Sequence, residues 1–186
     1  MHVLISGSTG LIGNAVFRRL SGEGHFVRRL VRPGTRIAAP GGAPLGSLAV
    51  WAPRDDRLPH HVLEGTDIVI HLAGEPILGR WSESKKQRIR DSRVESTRLL
   101  AESMAEMTRP PQLFICASAV GYYGDRGDEV LTEQSAPGEG FLADTAEQWE
   151  KATQPASFAG IRVVNLRLGV VLSPAGGALA MMLPIF

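Results

Sequence analysis

The sequence points to an α/β domain whose parallel sheet is doubly wound, with helices on both faces. Three observations carry this. Apolar runs that read as strands alternate along the chain with segments of helical periodicity, the pattern of repeated βα units. The runs Asp67-Ile-Val-Ile-His-Leu72 and Leu113-Phe-Ile-Cys116 are too short for helices and rich in β-branched residues, which fits central strands buried on both faces. A glycine-rich turn, Gly7-Ser8-Thr9-Gly10-Leu11-Ile12-Gly13, stands between the first strand and the first helix.

Taken in order, His2 to Ser6 reads as a short buried strand. Ile12, Val16 and Leu20 recur at i, i+4 and i+8 and define one apolar face of a helix over 11–22. A second strand is predicted over 26–31 and a Pro/Gly-rich mobile loop over 33–47. A third strand follows at 48–51, a short helix near 57–64 and a fourth strand at 67–72. A long helix over 83–107, a strand at 112–117, a helix over 141–154 and a strand at 161–166 complete the alternation. Beyond that the chain runs through Gly176-Gly177-Ala178 to Pro184-Ile185-Phe186 without a capping element, so one domain over 1–186 with its substrate lobe truncated is expected.

Composition narrows the function classes. A chain of 186 residues with 44% hydrophobic residues and a net charge of +1 suits one globular domain, and nothing marks a nucleic-acid binder. No basic, apolar leader stands at the N-terminus. The apolar stretch from Leu168 to Phe186 is interrupted by Ser173-Pro174, Gly176-Gly177 and Pro184, which argues against a membrane span. Cys116 is the one cysteine, which excludes an internal disulfide and suggests a reducing, cytoplasmic setting. The five histidines lack metal-ligand spacing, so no metal is expected.

The glycine turn is the recipe for holding a pyrophosphate: glycines permit close backbone approach, and the helix N-terminus offers unpaired N–H groups. With the strand before it and the helix after it, it predicts an NAD(P)-binding Rossmann fold. NAD-preferring domains place an acid about 20 residues on, against the ribose 2′-OH. Here no acidic residue lies between Glu23 and Asp55, and Arg32 stands at the predicted end of the second strand. A guanidinium there matches a 2′-phosphate in charge and fork geometry, so NADP(H) is the expected cofactor. Arg28, Arg29 and Arg36 are read as a solvated face.

From Leu72 onward the residues become specific. The segments are Leu72-Ala73-Gly74-Glu75-Pro76-Ile77, Arg80-Trp81-Ser82 with Lys86, Ser92-Arg93-Val94-Glu95-Ser96-Thr97, and Ser118-Ala119-Val120-Gly121-Tyr122-Tyr123-Gly124. With Thr132-Glu133, Phe141-Leu142, Trp149-Glu150 and Arg167-Leu168-Gly169-Val170-Val171-Leu172, they resemble the atypical extended short-chain dehydrogenase/reductases. The resemblance is closest to the NAD-dependent epimerase/dehydratase group labelled epimerase family proteins of uncertain substrate. It implies that Gly7, Thr9, Gly10, Leu11, Ile12 and Gly13 contact the pyrophosphate and Arg32 the adenosine phosphate. Leu72, Ala73 and Gly74 would line the adenine–ribose edge, and Arg93 would face the cofactor from the long helix.

Ser118 follows the fifth strand, where such enzymes keep a hydroxyl that hydrogen-bonds the reacting oxygen; a turn or cap serine is the competing reading. They also use a tyrosine four residues before a lysine, whose charge lets the phenol exchange a proton near neutrality. This chain has two tyrosines, Tyr122 and Tyr123, and lysines at 85, 86 and 151, so no Tyr-x-x-x-Lys exists. Phe141 and Thr145 occupy its expected place. Tyr123 or Tyr122 is the candidate stand-in, against the plainer reading of a tyrosine lining a pocket. Asp125, Asp128, Glu129 and Glu133 read as a solvated loop, His71 as a satisfied core histidine, and Trp81, Trp149, Met181 and Met182 as packing.

Two functions stay open. One is an NADP(H)-dependent oxidoreductase of the epimerase/dehydratase type, with Ser118 and Tyr123 at a sugar-nucleotide or other small carbonyl or alcohol substrate. The other is a non-catalytic NADP(H)-sensing regulatory protein, favoured by the missing Tyr/Lys pair. No nucleic-acid or membrane partner is expected, and a homodimer is left open.

Overall fold

The computed structural model describes residues 1–36, 47–53 and 57–183, so most of the Pro/Gly-rich loop expected over 33–47 lies outside the described residues. Six parallel strands form one sheet in the order β3-β2-β1-β4-β5-β6. They are β1 (His2–Ser6), β2 (Phe26–Val31), β3 (Leu48–Val50), β4 (Ile68–His71), β5 (Leu113–Ala119) and β6 (Arg162–Leu168). The order reverses between β1 and β4, the two strands whose carboxyl ends flank the crevice in doubly wound sheets.

The helices are α1 (Leu11–Gly22), α2 (His60–Leu63), α3 (Glu83–Ala105), α4 (Phe141–Lys151), α5 (Gln154–Phe158) and α6 (Gly177–Met182), with a 3₁₀ turn at Val120–Tyr123. Strand alternation sends Val3, Ile5 and Val27 to one face, where Phe17, Val16 and Leu20 of α1 cover them. Leu4, Leu30, Val69 and Phe114 go to the other face, beneath Leu100 and Met104 of α3 and Trp149 of α4.

Some boundaries differ from expectation. The helix expected over 141–154 stops at Lys151, and α5 restarts with Pro155 in its first turn, where a missing N–H costs nothing. β6 runs on to Leu168 because it stays paired with β5 as far as Ala119. Met181 and Met182, expected to pack, are exposed. No described helix is long and apolar enough to cross a membrane.

Candidate functional site

A cleft of about 360 Å³ opens at the carboxyl ends of β1, β2 and β4. Gly7, Thr9 and Gly10 form one wall, Arg32 and Thr35 a second, and Leu72, Ala73 and Gly74 a third. A larger hollow between His60, Asp67 and Arg109 lies at the amino ends of the strands, away from the crevice where such sheets bind ligands.

Two glycines make the cleft possible. Gly7 has φ +68°, and a Cβ there would sit 2.5 Å from the Leu72 carbonyl carbon and 2.7 Å from Ala73 N. The turns after β1 and β4 therefore touch backbone to backbone. A Cβ on Gly13 would overlap the Gly7 carbonyl oxygen and lie 2.9 Å from Ser8 Cα. The first turn of α1, Leu11 to Gly13, is thus pressed against the loop. Gly10 caps α1 without a side-chain acceptor, and the first turn holds no acid. Among the described residues the N–H groups of Thr9, Leu11, Ile12 and Gly13 have no acceptor. This cradle of free donors, closed by glycines, fits a dinucleotide pyrophosphate.

At the end of β2, Arg32 is exposed and makes no ion pair among the described residues. Glu75, across the cleft, is taken by Lys85 at 2.8 Å. That hydrogen bond, with longer pulls from Arg88 and Arg32, holds the carboxyl below its usual range against the effect of burial. Arg29 departs from the solvated face expected of it. It is 4% exposed and donates from Nε to Ser8 Oγ (3.2 Å) and from Nη2 to the Ser8 carbonyl (3.0 Å). Arg28 is half-buried and donates to the Val62 carbonyl, while Arg36 is exposed.

α3 pins the turn after β4. Ser92 lines the cleft, and its Oγ accepts from Glu75 N at 2.9 Å. Arg93, expected to face the cofactor, is turned onto this backbone, with Nη1 3.0 Å from both the Glu75 and Ile89 carbonyls and its Cζ 5.2 Å from the centre of the Trp149 ring. Arg93 is not among the residues lining the cleft.

Behind the cleft, His71 is fully buried between Ser6 Oγ (2.6 Å from Nδ1) and Ser96 Oγ (3.1 Å from Nε2). It is a satisfied core histidine, and burial pushes its pKa down to about 4. Between pH 6.5 and about 4 the unfolded chain binds a proton that the native state refuses, so stability falls with pH across this window. The loss over that window is about 3 kcal/mol, since each tenfold difference in proton affinity is worth ~1.4 kcal/mol. Urea melts against pH should show this acid limb in the wild type and a flattened one in His71→Gln. Equal limbs would sink the assignment.

A second cluster lies one strand further along, after β5. Ser118, 3% exposed, donates to Glu150 Oε1 at 2.6 Å. Arg167 of β6 binds the same carboxylate in fork geometry, Nε to Oε1 at 2.8 Å and Nη2 to Oε2 at 2.9 Å. Its Nη1 donates to the Tyr123 hydroxyl at 2.9 Å, and its Cζ lies 3.5 Å from the centre of the Tyr122 ring. Burial pushes the Glu150 pKa up, but the hydrogen bonds from Arg167 and Ser118 outweigh this and hold it low.

Ser118 and Tyr123 are thus brought onto one ion pair, although neither is among the residues lining the cleft. Glu150 and Arg167 are legible in the sequence only as family motif residues without a role; the one further signal is the charge of Arg167 between Leu166 and Leu168, whereas Glu150 stands among Glu147, Gln148 and Lys151 and carries none.

At the expected Tyr-x-x-x-Lys positions, Thr145 Oγ1 donates to the Phe141 carbonyl, and the Phe141 ring packs edge-on against Trp81. Cys116 is buried, which pushes its thiol up to about 12 and removes it as a nucleophile near neutrality. Asp125, Asp128, Glu129 and Glu133 are exposed, and Glu129 pairs with Arg126.

Strand order, glycine cradle and switch-point cleft define a Rossmann domain of the NAD(P)-binding class. More narrowly, the chain belongs to the NAD dependent epimerase/dehydratase family, which it matches over residues 3–186. It is 43% identical over 186 residues to an epimerase family protein of Mycobacterium bovis, across 99% of this chain and 58% of that protein. It is 33% identical over 187 residues to the human epimerase family protein SDR39U1, across 98% of this chain and 59% of that protein.

Among solved structures, a nucleoside-diphosphate sugar epimerase from Corynebacterium glutamicum superposes with a TM-score of 0.81 at 42% identity, covering 100% of this chain and 37% of that one. Human SDR39U1 with NADPH gives 0.80 at 32% identity, covering 99% of this chain and 59% of that one. The chain therefore spans less than two thirds of these relatives.

Proposed function

We propose that this chain forms the NADP(H)-binding part of an epimerase/dehydratase-type oxidoreductase acting on a sugar nucleotide or another small carbonyl or alcohol substrate. The observation that carries the cofactor choice is Arg32, exposed at the end of β2 on the cleft wall, without an ion-pair partner among the described residues. The NADPH bound to human SDR39U1 and the naming of the Corynebacterium relative as a nucleoside-diphosphate sugar epimerase support the reading. Gly7, Thr9, Gly10 and the first turn of α1 would hold the pyrophosphate, Arg32 the 2′-phosphate, and Leu72 to Gly74 the adenine–ribose edge. When bound, the nicotinamide supplies reversible hydride transfer.

Hydrogen-bond polarity sets what Ser118 and Tyr123 can offer. The Ser118 proton is committed to Glu150, so its oxygen offers lone pairs to a substrate hydroxyl. The Tyr123 oxygen accepts from Arg167, so its own proton remains available to an oxygen acceptor.

The same engagement favours a second reading, a non-catalytic NADP(H) sensor, since both hydroxyls already have partners within the protein. Incubation with NADPH and a panel of carbonyl compounds and nucleotide sugars, followed by product analysis, separates the two. Turnover supports the enzyme; tight NADPH binding without any product supports the sensor.

The cofactor choice has its own test. Arg32→Ala is expected to weaken NADPH binding by about 10- to 100-fold, the scale of a charge-assisted phosphate contact, and to leave NADH within about twofold. Wild-type protein that binds NADH as tightly as NADPH would overturn the choice.

A further inference from the structure

The glycine loop rests on a charge that the described residues do not balance. Arg29 lies on β2, almost wholly buried on the face it shares with Val27, Val3 and Ile5. Its guanidinium sits 4.4 Å from the centre of the Phe17 ring and reaches up to Ser8. No carboxylate among the described residues pairs with it, and burial alone lowers its pKa. A buried cation without a counter-ion is unfavourable. It also stands beside the amino end of α1, whose dipole is positive there and whose first turn holds no acid. Two sources of positive potential converge on one loop, and the described residues supply no anion between them.

We infer that Arg29 is a positioning residue for bound phosphate: it orients the Ser8–Thr9 peptide and supplies the buried counter-charge for a pyrophosphate on the glycine loop. This rests on the dinucleotide reading above. The peptide is trans, so its C=O and N–H point in opposite directions. Because the Ser8 carbonyl faces Arg29, the Thr9 N–H faces away from it, and Thr9 is exposed and lines the cleft. The charged hydrogen bond on the carbonyl polarises the peptide and makes that N–H a stronger donor. Arg29 thus serves the part of the cofactor common to NAD and NADP, whereas Arg32 serves the 2′-phosphate.

Calorimetric titration of the full chain with NADPH, NADH and inorganic pyrophosphate, together with ligand-free thermal melts, tests this on wild type, Arg29→Met, Arg29→Gln and Arg29→Lys. Met and Gln are expected to weaken both nucleotides about tenfold, the scale of one lost charge interaction, with the NADPH/NADH ratio unchanged. Lys keeps a charge but neither the two donors on Ser8 nor the contact with Phe17, so it is expected to bind better than Gln and more weakly than wild type. The ligand-free melting temperature of Arg29→Met should equal or exceed that of wild type, since an unbalanced buried charge has been removed. A merely structural arginine would lower it.

Wild-type affinity in Met and Gln, a loss confined to NADPH, or Lys as weak as Gln would overturn the inference. Should Arg29→Met not fold, the contrast between Gln and Lys decides it. Should wild type bind neither nucleotide, the dinucleotide reading falls and pyrophosphate decides Arg29 separately. A pyrophosphate-induced rise in melting temperature that is lost in Gln supports the inference, and no rise in wild type overturns it.

Discussion

Gly13→Ala is expected to weaken dinucleotide binding by more than about a hundredfold and to destabilise the ligand-free protein by ~2 kcal/mol, the range of overpacked buried sites. Helix propensity alone says the opposite, since alanine in a helix interior is favoured over glycine by about 1 kcal/mol. Contact decides the sign. The new Cβ would overlap the Gly7 carbonyl oxygen and lie 2.9 Å from the Gly7 carbonyl carbon and from Ser8 Cα. All three are backbone atoms, so no side chain can swing aside, and α1 or the loop must move. Either movement spoils the donor cradle, and Gly7 cannot retreat because its own Cα faces the Leu72 carbonyl carbon and Ala73 N. Gly22, at the other end of the same helix, has nothing beyond that helix within 4 Å of where a methyl group would stand. Gly22→Ala should therefore leave binding unchanged and raise stability by up to about 1 kcal/mol. NADPH titrations and urea melts on the two variants read both quantities. Matching behaviour would show that the clash does not govern the loop.

The contrast between Gly13 and Arg29 shows which parts of the site the sequence could reveal. The glycine loop is a local constraint: strand, tight turn and helix follow one another within thirteen residues, and β1 and α1 fall where the pattern places them. Arg32 is equally readable, because its place follows from where β2 ends. Arg29 stands three residues earlier in the same basic run, yet its fate depends on α1 folding back over that face of the sheet, and composition treats the arginines alike. Arg93 shows the same limit. Its position on α3 is periodic and legible, but whether it meets a ligand or the Glu75 carbonyl depends on how the turn after β4 lies on the helix. The Ser118–Glu150–Arg167–Tyr123 cluster draws on β5, α4, β6 and the 3₁₀ turn, with partners 17 to 44 residues apart. No period joins such residues, so only sheet order and helix packing bring them together.

That cluster carries the second large effect. Arg167→Met is expected to destabilise the protein by about 3 kcal/mol, as when one partner of a buried ion pair is removed. The side chains of Arg167 and Glu150 are 17% and 15% exposed, so solvent screens the pair little. The guanidinium satisfies both carboxylate oxygens and the Tyr123 hydroxyl, and its loss leaves Glu150, among the described residues, with the Ser118 hydroxyl alone. The pH dependence should change sign. In wild type the Glu150 carboxyl is held below its ordinary value, so its stabilisation is full above that value and fades as pH falls through the lowered one. Without Arg167, burial dominates and raises the carboxyl, so ionised Glu150 opposes folding at neutral pH and the protein gains stability as pH falls towards protonation. Glu150→Gln/Arg167→Met removes the stranded charge and should recover at least about half of the loss. Urea melts from pH 8 to pH 4 on wild type, both single variants and the double variant measure slope and coupling together. Additive single effects with parallel pH slopes would show that Glu150 and Arg167 do not act as a pair.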